Sequence, residues 1–153
     1  MRTQRASFGR TPFAAAMGAL LFACASPVQI YPGEPRPTEE VVTVSSKRGR
    51  IIRADGGRLH ALKIAMLPGT IEVVGRFRLR GEEIAPNVRE EDEIFIACRF
   101  VFEGRAGHHY VVGAGRPIAG RDRGVVARYH YMGALYDKSE PDSVIRAKGC
   151  GRG

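Results

Sequence analysis

From Thr70 to Arg80 the chain alternates: Ile71, Val73, Phe77 and Leu79 take one set of positions, and Thr70, Glu72, Arg76, Arg78 and Arg80 take the other. Successive side chains of an extended strand point to opposite faces, so this spacing predicts a β-strand with one apolar and one charged face; at helical spacing the same residues would scatter. An apolar strand face must be buried against another layer, which commits the chain to a layered or closed β architecture. Glu93 to Glu103 repeats the pattern more strongly, with Ile94, Ile96, Cys98, Phe100 and Phe102 on one face and Phe95, Ala97 and Val101 on much of the other. That composition predicts a strand inside a sheet and carries Cys98 into the core.

The surrounding segments fit around these two strands. Val41 to Ser46 and Arg50 to Ala54 are short strands, and Asp55-Gly56-Gly57 is a hairpin turn into a strand whose His60, Leu62, Ile64 and Met66 share a face. Leu67-Pro68-Gly69-Thr70 supplies the turn into the alternating strand. Gly104-Arg105-Ala106-Gly107 makes a second hairpin into His108 to Val112, and Val125 to Met132 forms the last strand, with Val125, Ala127, Tyr129 and Tyr131 on one side. Only Glu82 to Glu91 offers a helical turn or two. The expected fold is all-β: a small antiparallel β-sandwich or barrel of about seven short strands spanning 41–150, followed by a tail, 151–153. The Leu67-Pro68-Gly69 turn feeding an alternating strand resembles the repeat unit of PEGA-type surface domains, and Cys98 to Val112 is similar to strands of small lipoproteins. Both resemblances imply a fold and a location, and no activity.

The N-terminus is of a different kind. Arg2, Arg5 and Arg10 precede the apolar run Phe13 to Ala23, with no acid among them. A basic stretch followed by an apolar run of this length is a signal peptide, and it is shorter than the roughly 20 apolar residues a bilayer span needs. Residues 24–40 contain Pro27, Pro32, Pro35 and Pro37 without apolar periodicity and predict an extended tether. Leu21-Phe22-Ala23-Cys24 resembles the lipobox of bacterial lipoproteins. That resemblance implies removal of residues 1–23, acylation of Cys24, and, with Ala25 rather than Asp after it, an address at the outer membrane facing the periplasm. The alternative is Ala23-Cys24-Ala25 as an A-x-A-like site, which would release a secreted soluble factor cleaved after Ala25. A third reading keeps the segment as a buried N-terminal helix.

The chain carries a net charge of +8, and loss of Arg2, Arg5 and Arg10 would leave about +5. Arginine outnumbers lysine 20 to 4, which favours phosphates and carboxylates met by forked guanidinium groups. An exported protein meets lipid phosphates and acidic polymers, so nucleic acid is not expected as a partner. With Cys24 given to lipid, Cys98 and Cys150 remain as an even pair in an oxidising compartment, either as a disulfide or as one buried and one exposed thiol.

Chemistry-bearing motifs are few. Gly115 to Gly120 has phosphate-loop spacing, but Arg121 and Asp122 stand where Lys and Ser or Thr belong, so Val112 to Gly124 reads as an exposed glycine-rich loop. Ile118 replaces the third glycine of a dinucleotide fingerprint, and no serine sits in a glycine elbow. No cofactor is expected. His60, His108 and His130 are the candidate metal ligands, set against hydrogen-bonded or surface histidines, and His108 can share a face with Tyr110. Glu90-Glu91-Asp92-Glu93 lacks the spacing of a calcium loop and reads as a solvated turn.

The expectation is a non-enzymatic, membrane-anchored envelope lipoprotein. Its β domain would contact an anionic polymer or an envelope protein through Arg76, Arg78 and Arg80, a stripe that could equally be a plain solvated strand face. A periplasmic metal-binding protein or metal-dependent enzyme is the alternative, read from the histidines.

Overall fold

The computed structural model describes residues 26–81, 84, 89–119, 129–140, 142, 144–147 and 149–152. The alternating segment forms β6, Gly69–Arg80, and pairs along its whole length with β7, Glu93–Gly104, from Gly69 opposite Gly104 to Arg80 opposite Glu93. Around this ladder lie β3 (Gly49–Ala54), β4 (Gly57–Ala61) and β11 (Gly149–Arg152), giving a five-stranded sheet of order β11-β7-β6-β3-β4. A second sheet of order β1-β5-β2-β8-β9-β10 contains β1 (Val28–Gln29), β2 (Val42–Ser46), β5 (Lys63–Met66), β8 (His109–Ala119), β9 (Tyr129–Asp137) and β10 (Val144–Arg146). The fold is an all-β sandwich, mostly antiparallel, with parallel pairing of β1 to β5 and of β2 to β8.

The core lies between the sheets. Ile71, Val73, Phe77 and Leu79 of β6 and Ile96, Cys98, Phe100 and Phe102 of β7 meet Val42 and Val44 of β2, Ile64 and Met66 of β5, Val112 of β8 and Leu135 of β9. Full burial of each such side chain contributes about 1.5–3 kcal/mol. Phe77 and Phe100 meet edge to face at 6.3 Å. Two glycines make room for these rings. A Cβ on Gly75 would lie 2.4 Å from the Phe77 ring, and one on Gly133 would lie 2.8 Å from that of Phe100. Cys98 is fully buried and forms a disulfide with Cys150, its direct cross-strand neighbour on β11.

Several local expectations change once strand pairing is known. His60 to Met66 is two strands, not one: β4 belongs to the first sheet and β5 to the second, with Leu62 54% exposed where the chain crosses between them. The Leu67–Thr70 turn is likewise a crossover between sheets, with Gly69 at φ +134°, and Gly104–Gly107 links β7 to β8 in opposite sheets instead of closing a hairpin. The glycine-rich run is no loop as far as Ala119, because β8 continues through it and pairs with β9; residues 120–128, and with them the start of the expected last strand, lie outside the described residues. Among the described residues there are eleven strands where about seven were expected, the additional ones being short pieces that single-segment patterning does not register.

The proline-rich stretch is also built into the domain. Val28 and Gln29 pair with Ile64 and Ala65, Tyr31 packs with Val41 and Ala65, and Thr38–Glu40 is a 3-10 turn. Asp55-Gly56 forms the expected two-residue hairpin turn, with φ of +43° and +82°.

The pairings give the sandwich two distinct ends. At one end lie the β2–β3 crossover (Lys47 and Arg48), Leu62, and the lower part of β6 with Arg78 and Arg80, since Gly49 pairs with Phe77 and Ser45 with Lys63. At the other lie Asp55-Gly56, Pro68, the 104–108 turn and Asp137.

Candidate anion-binding site

The outer face of the five-stranded sheet carries the charged half of β6. Arg76, Arg78 and Arg80 point outward there, as the alternation requires, and β3 and β7 flank them. Pairing of β3 with β6 sets Arg50 directly opposite Arg76, and pairing of β3 with β4 sets Arg53 opposite Arg58. Like charges in direct cross-strand positions are destabilising. A register shift between Ile51 and Arg53 adds Ile52 to β3 as an extra residue, leaving it half-buried beside the arginines.

These residues enclose a groove of about 330 Å³ lined by Arg48, Arg50, Arg76 and Arg78, by His60 from β4, and by Ile52 and Phe95 as apolar surface. Arg48 reaches it from the crossover at φ +59°, a left-handed conformation uncommon for a non-glycine residue. The Arg76 guanidinium stacks 4.5 Å from the Phe95 ring centroid, which fixes its plane and leaves its N–H edges for a ligand. Arg78 Nη2 donates to Glu93 Oε2 at 2.6 Å, with Arg80 Nε 3.5 Å from the same oxygen. No carboxylate among the described residues pairs with Arg50 or Arg76. Forked guanidinium groups on an apolar surface suit a phosphate or carboxylate attached to a larger body.

A second polar cluster occupies the opposite end. His108 Nδ1 lies 2.6 Å from Asp137 Oδ2, and the Ser139 N–H donates to Asp137 Oδ1 at 2.8 Å. Burial tends to raise the Asp137 carboxyl, but the hydrogen bonds from His108 and Ser139 outweigh it and hold the group below its ordinary value. The Tyr110 hydroxyl accepts from the Arg105 N–H at 3.2 Å, and its ring stacks on His108 at 6.2 Å, so the expected sharing of a face by these two is observed. Burial pushes the Tyr110 phenol up. Beside this cluster, on the outer face of the six-stranded sheet, His109 Nε2 lies 2.8 Å from Ser45 Oγ; burial, then the nearby Lys138 and Lys63, push that imidazole down. Among the described residues no carboxylate hydrogen-bonds the other nitrogen of His109, so the pair lacks the orienting partner of a nucleophilic triad.

The structure does not gather the three candidate metal ligands. His60 lines the arginine groove, His108 is engaged by Asp137 at the far end, and His130 lies on β9 opposite Ile118. Among the described residues no group of three His, Cys, Asp or Glu is placed to hold a metal ion. Of the arginine stripe, Arg76 and Arg78 line the groove and Arg80 lies beyond it. Sequence patterning missed Arg48, Arg50, Ile52 and Phe95, because their meeting depends on β3 pairing with β6 and on the bulge at Ile52. The acidic run forms turns at Glu90 and Glu91, and its last member, Glu93, becomes the partner of Arg78.

Neither a family model, nor a curated protein, nor a solved structure matches this chain.

Proposed function

We propose that the protein is an envelope lipoprotein, anchored in the outer membrane through an acylated Cys24, whose β-sandwich acts without catalysis by binding an anionic envelope component in the arginine groove. The observation that carries the binding role is the direct opposition of Arg50 and Arg76 beside Ile52 and Phe95. Holding two cations face to face costs stability, and a bound anion returns it. The anchor rests on the basic N-terminus, the apolar run and the lipobox-like Leu21 to Cys24. Several acyl chains on one cysteine suffice for stable anchoring where a single chain gives only marginal binding. The Cys98–Cys150 disulfide fits the oxidising compartment this address implies.

The anchor is tested by the intact mass of the protein purified from its native host without reducing agent. The expected mass is that of residues 24–153 plus three acyl groups and glycerol, less two protons for the disulfide. A mass beginning at Ser26 with no lipid contradicts the anchor and makes the protein a diffusible factor.

A further inference from the structure

The described chain enters the sandwich at the same end as the groove. Val28, the first strand residue, pairs with Ile64, next to the start of β5 at Lys63, and β1 runs parallel to β5 away from that end. The chain before Val28 therefore leaves the sandwich beside Leu62, whose carbonyl accepts from the Ser46 N–H at 2.8 Å immediately before the Lys47-Arg48 crossover. Only Ala25, Ser26 and Pro27 stand between Cys24 and Val28. Four residues of extended chain reach about 14 Å at most, under two Debye lengths at physiological salt. A lipid on Cys24 thus holds this end of the domain within electrostatic reach of the headgroups.

What that end presents suits such a surface. Lys47 and Arg48 project from the crossover, Arg50 and Arg76 line the groove beside it, and Val28 and Leu62 are large apolar side chains left 48% and 54% exposed. A second cavity of about 290 Å³ adjoins the groove, sharing Arg48 and Arg78 with it and bordered by Lys47. Cations around two adjoining hollows, with apolar residues at the rim, match phosphate headgroups above acyl chains; a protein partner would be expected to bring carboxylates and its own apolar core.

We propose that the domain seats this end on the bilayer that holds its anchor, with lipid phosphates in the arginine groove and Val28 and Leu62 at the headgroup boundary. The proposal rests on the anchored reading above and names its anionic component as the membrane phospholipid itself. The domain then stands upright on the membrane, and the His108–Asp137 end faces the periplasm.

Amine labelling followed by mass spectrometry reads this orientation, because Lys47 and Lys138 are both exposed and flank the two ends of the β2–β8 pairing, bonded through their N–H groups to Val112 and His109. The native lipidated protein is reconstituted into phosphatidylcholine vesicles and into vesicles containing phosphatidylglycerol. In the anionic vesicles, labelling of Lys47 relative to Lys138 is expected to fall at least threefold, and the Arg50→Gln/Arg76→Gln variant is expected to lose that protection while still sedimenting with vesicles. Sedimentation with both vesicle types but an equal labelling ratio in each overturns the seating and leaves the anchor standing. Failure to sediment with the neutral vesicles overturns the anchored reading and the seating with it. Selective binding of an acidic polysaccharide to vesicle-bound protein, with Lys47 still open to labelling, assigns the groove to a polymer and also overturns the seating.

Discussion

The two ends of the sandwich each hold a histidine and several charged groups, yet they are organised on opposite principles. At the upper end the cluster around Asp137 is closed on itself, although Arg53 faces Arg58 beside the Asp55-Gly56 turn: His108 meets Asp137, the Ser139 N–H completes that carboxylate, and Arg105 pairs with Glu140 at 2.7 Å. At the lower end Arg50 faces Arg76 across two paired strands, and among the described residues no carboxylate pairs with either. A closed network returns its desolvation cost within the fold and rigidifies the loops it joins. An open cluster leaves interaction energy available to something outside the chain. On the function proposed above, the first end serves stability and the second serves binding.

The largest expected effect falls on both ends together and sets the scale. Replacing Cys98 and Cys150 by alanine opens a loop with a sequence separation of 52. On the chain-entropy estimate this costs about 4 kcal/mol, read as a lower urea midpoint. Next comes Asp137→Ala, which strands the His108 ring and the Ser139 N–H. A loss of about 2–3 kcal/mol is expected in the same assay, with vesicle binding unchanged. If binding fell instead, the division between the ends would fail.

The pH dependence separates the two histidine pairs at the upper end. His109 is held below its ordinary value of 6.5, so the unfolded chain takes up a proton there first, and stability falls as pH drops below about 6.5. Asp137 is held below 3.8 and contributes stability above that value, which is lost as pH falls further through the folded-state value. Urea midpoints from pH 8 to 3 should show both declines, and His109→Gln should remove only the first. The smallest effect is expected from Glu72→Gln, which breaks the exposed Arg99–Glu72 pair at 2.6 Å on the same outer face as the groove. Such pairs contribute no more than about 1 kcal/mol. Loss of vesicle affinity in this variant would show that the binding surface extends past the groove.

What the sequence revealed follows the range of the interactions involved. The faces of β6 and β7 are written in their own residues, whereas Cys98 and Cys150, two of the three cysteines, meet only because β11 pairs with β7. Sheet membership is not local: nothing in His60-Ala61-Leu62-Lys63 signals that the chain changes sheets there, and the glycines of 113–115 look like a loop until β9 supplies their partners. The groove was half legible for the same reason. Arg76 and Arg78 lie on one readable strand, whereas Arg50 joins them only through β3–β6 pairing and Ile52 only through a bulge.

The central claim is that the lower end binds and the upper end stabilises, and one paired measurement on Arg50→Gln/Arg76→Gln tests it most directly. Urea unfolding and co-sedimentation with anionic vesicles, using protein lacking the lipid, are followed on the same preparation. Relief of the opposed charges should leave stability unchanged or raise it by up to about 1 kcal/mol, while affinity for the vesicles falls about tenfold at low salt. Unchanged affinity, or a loss of stability comparable to that of Asp137→Ala, would contradict the account.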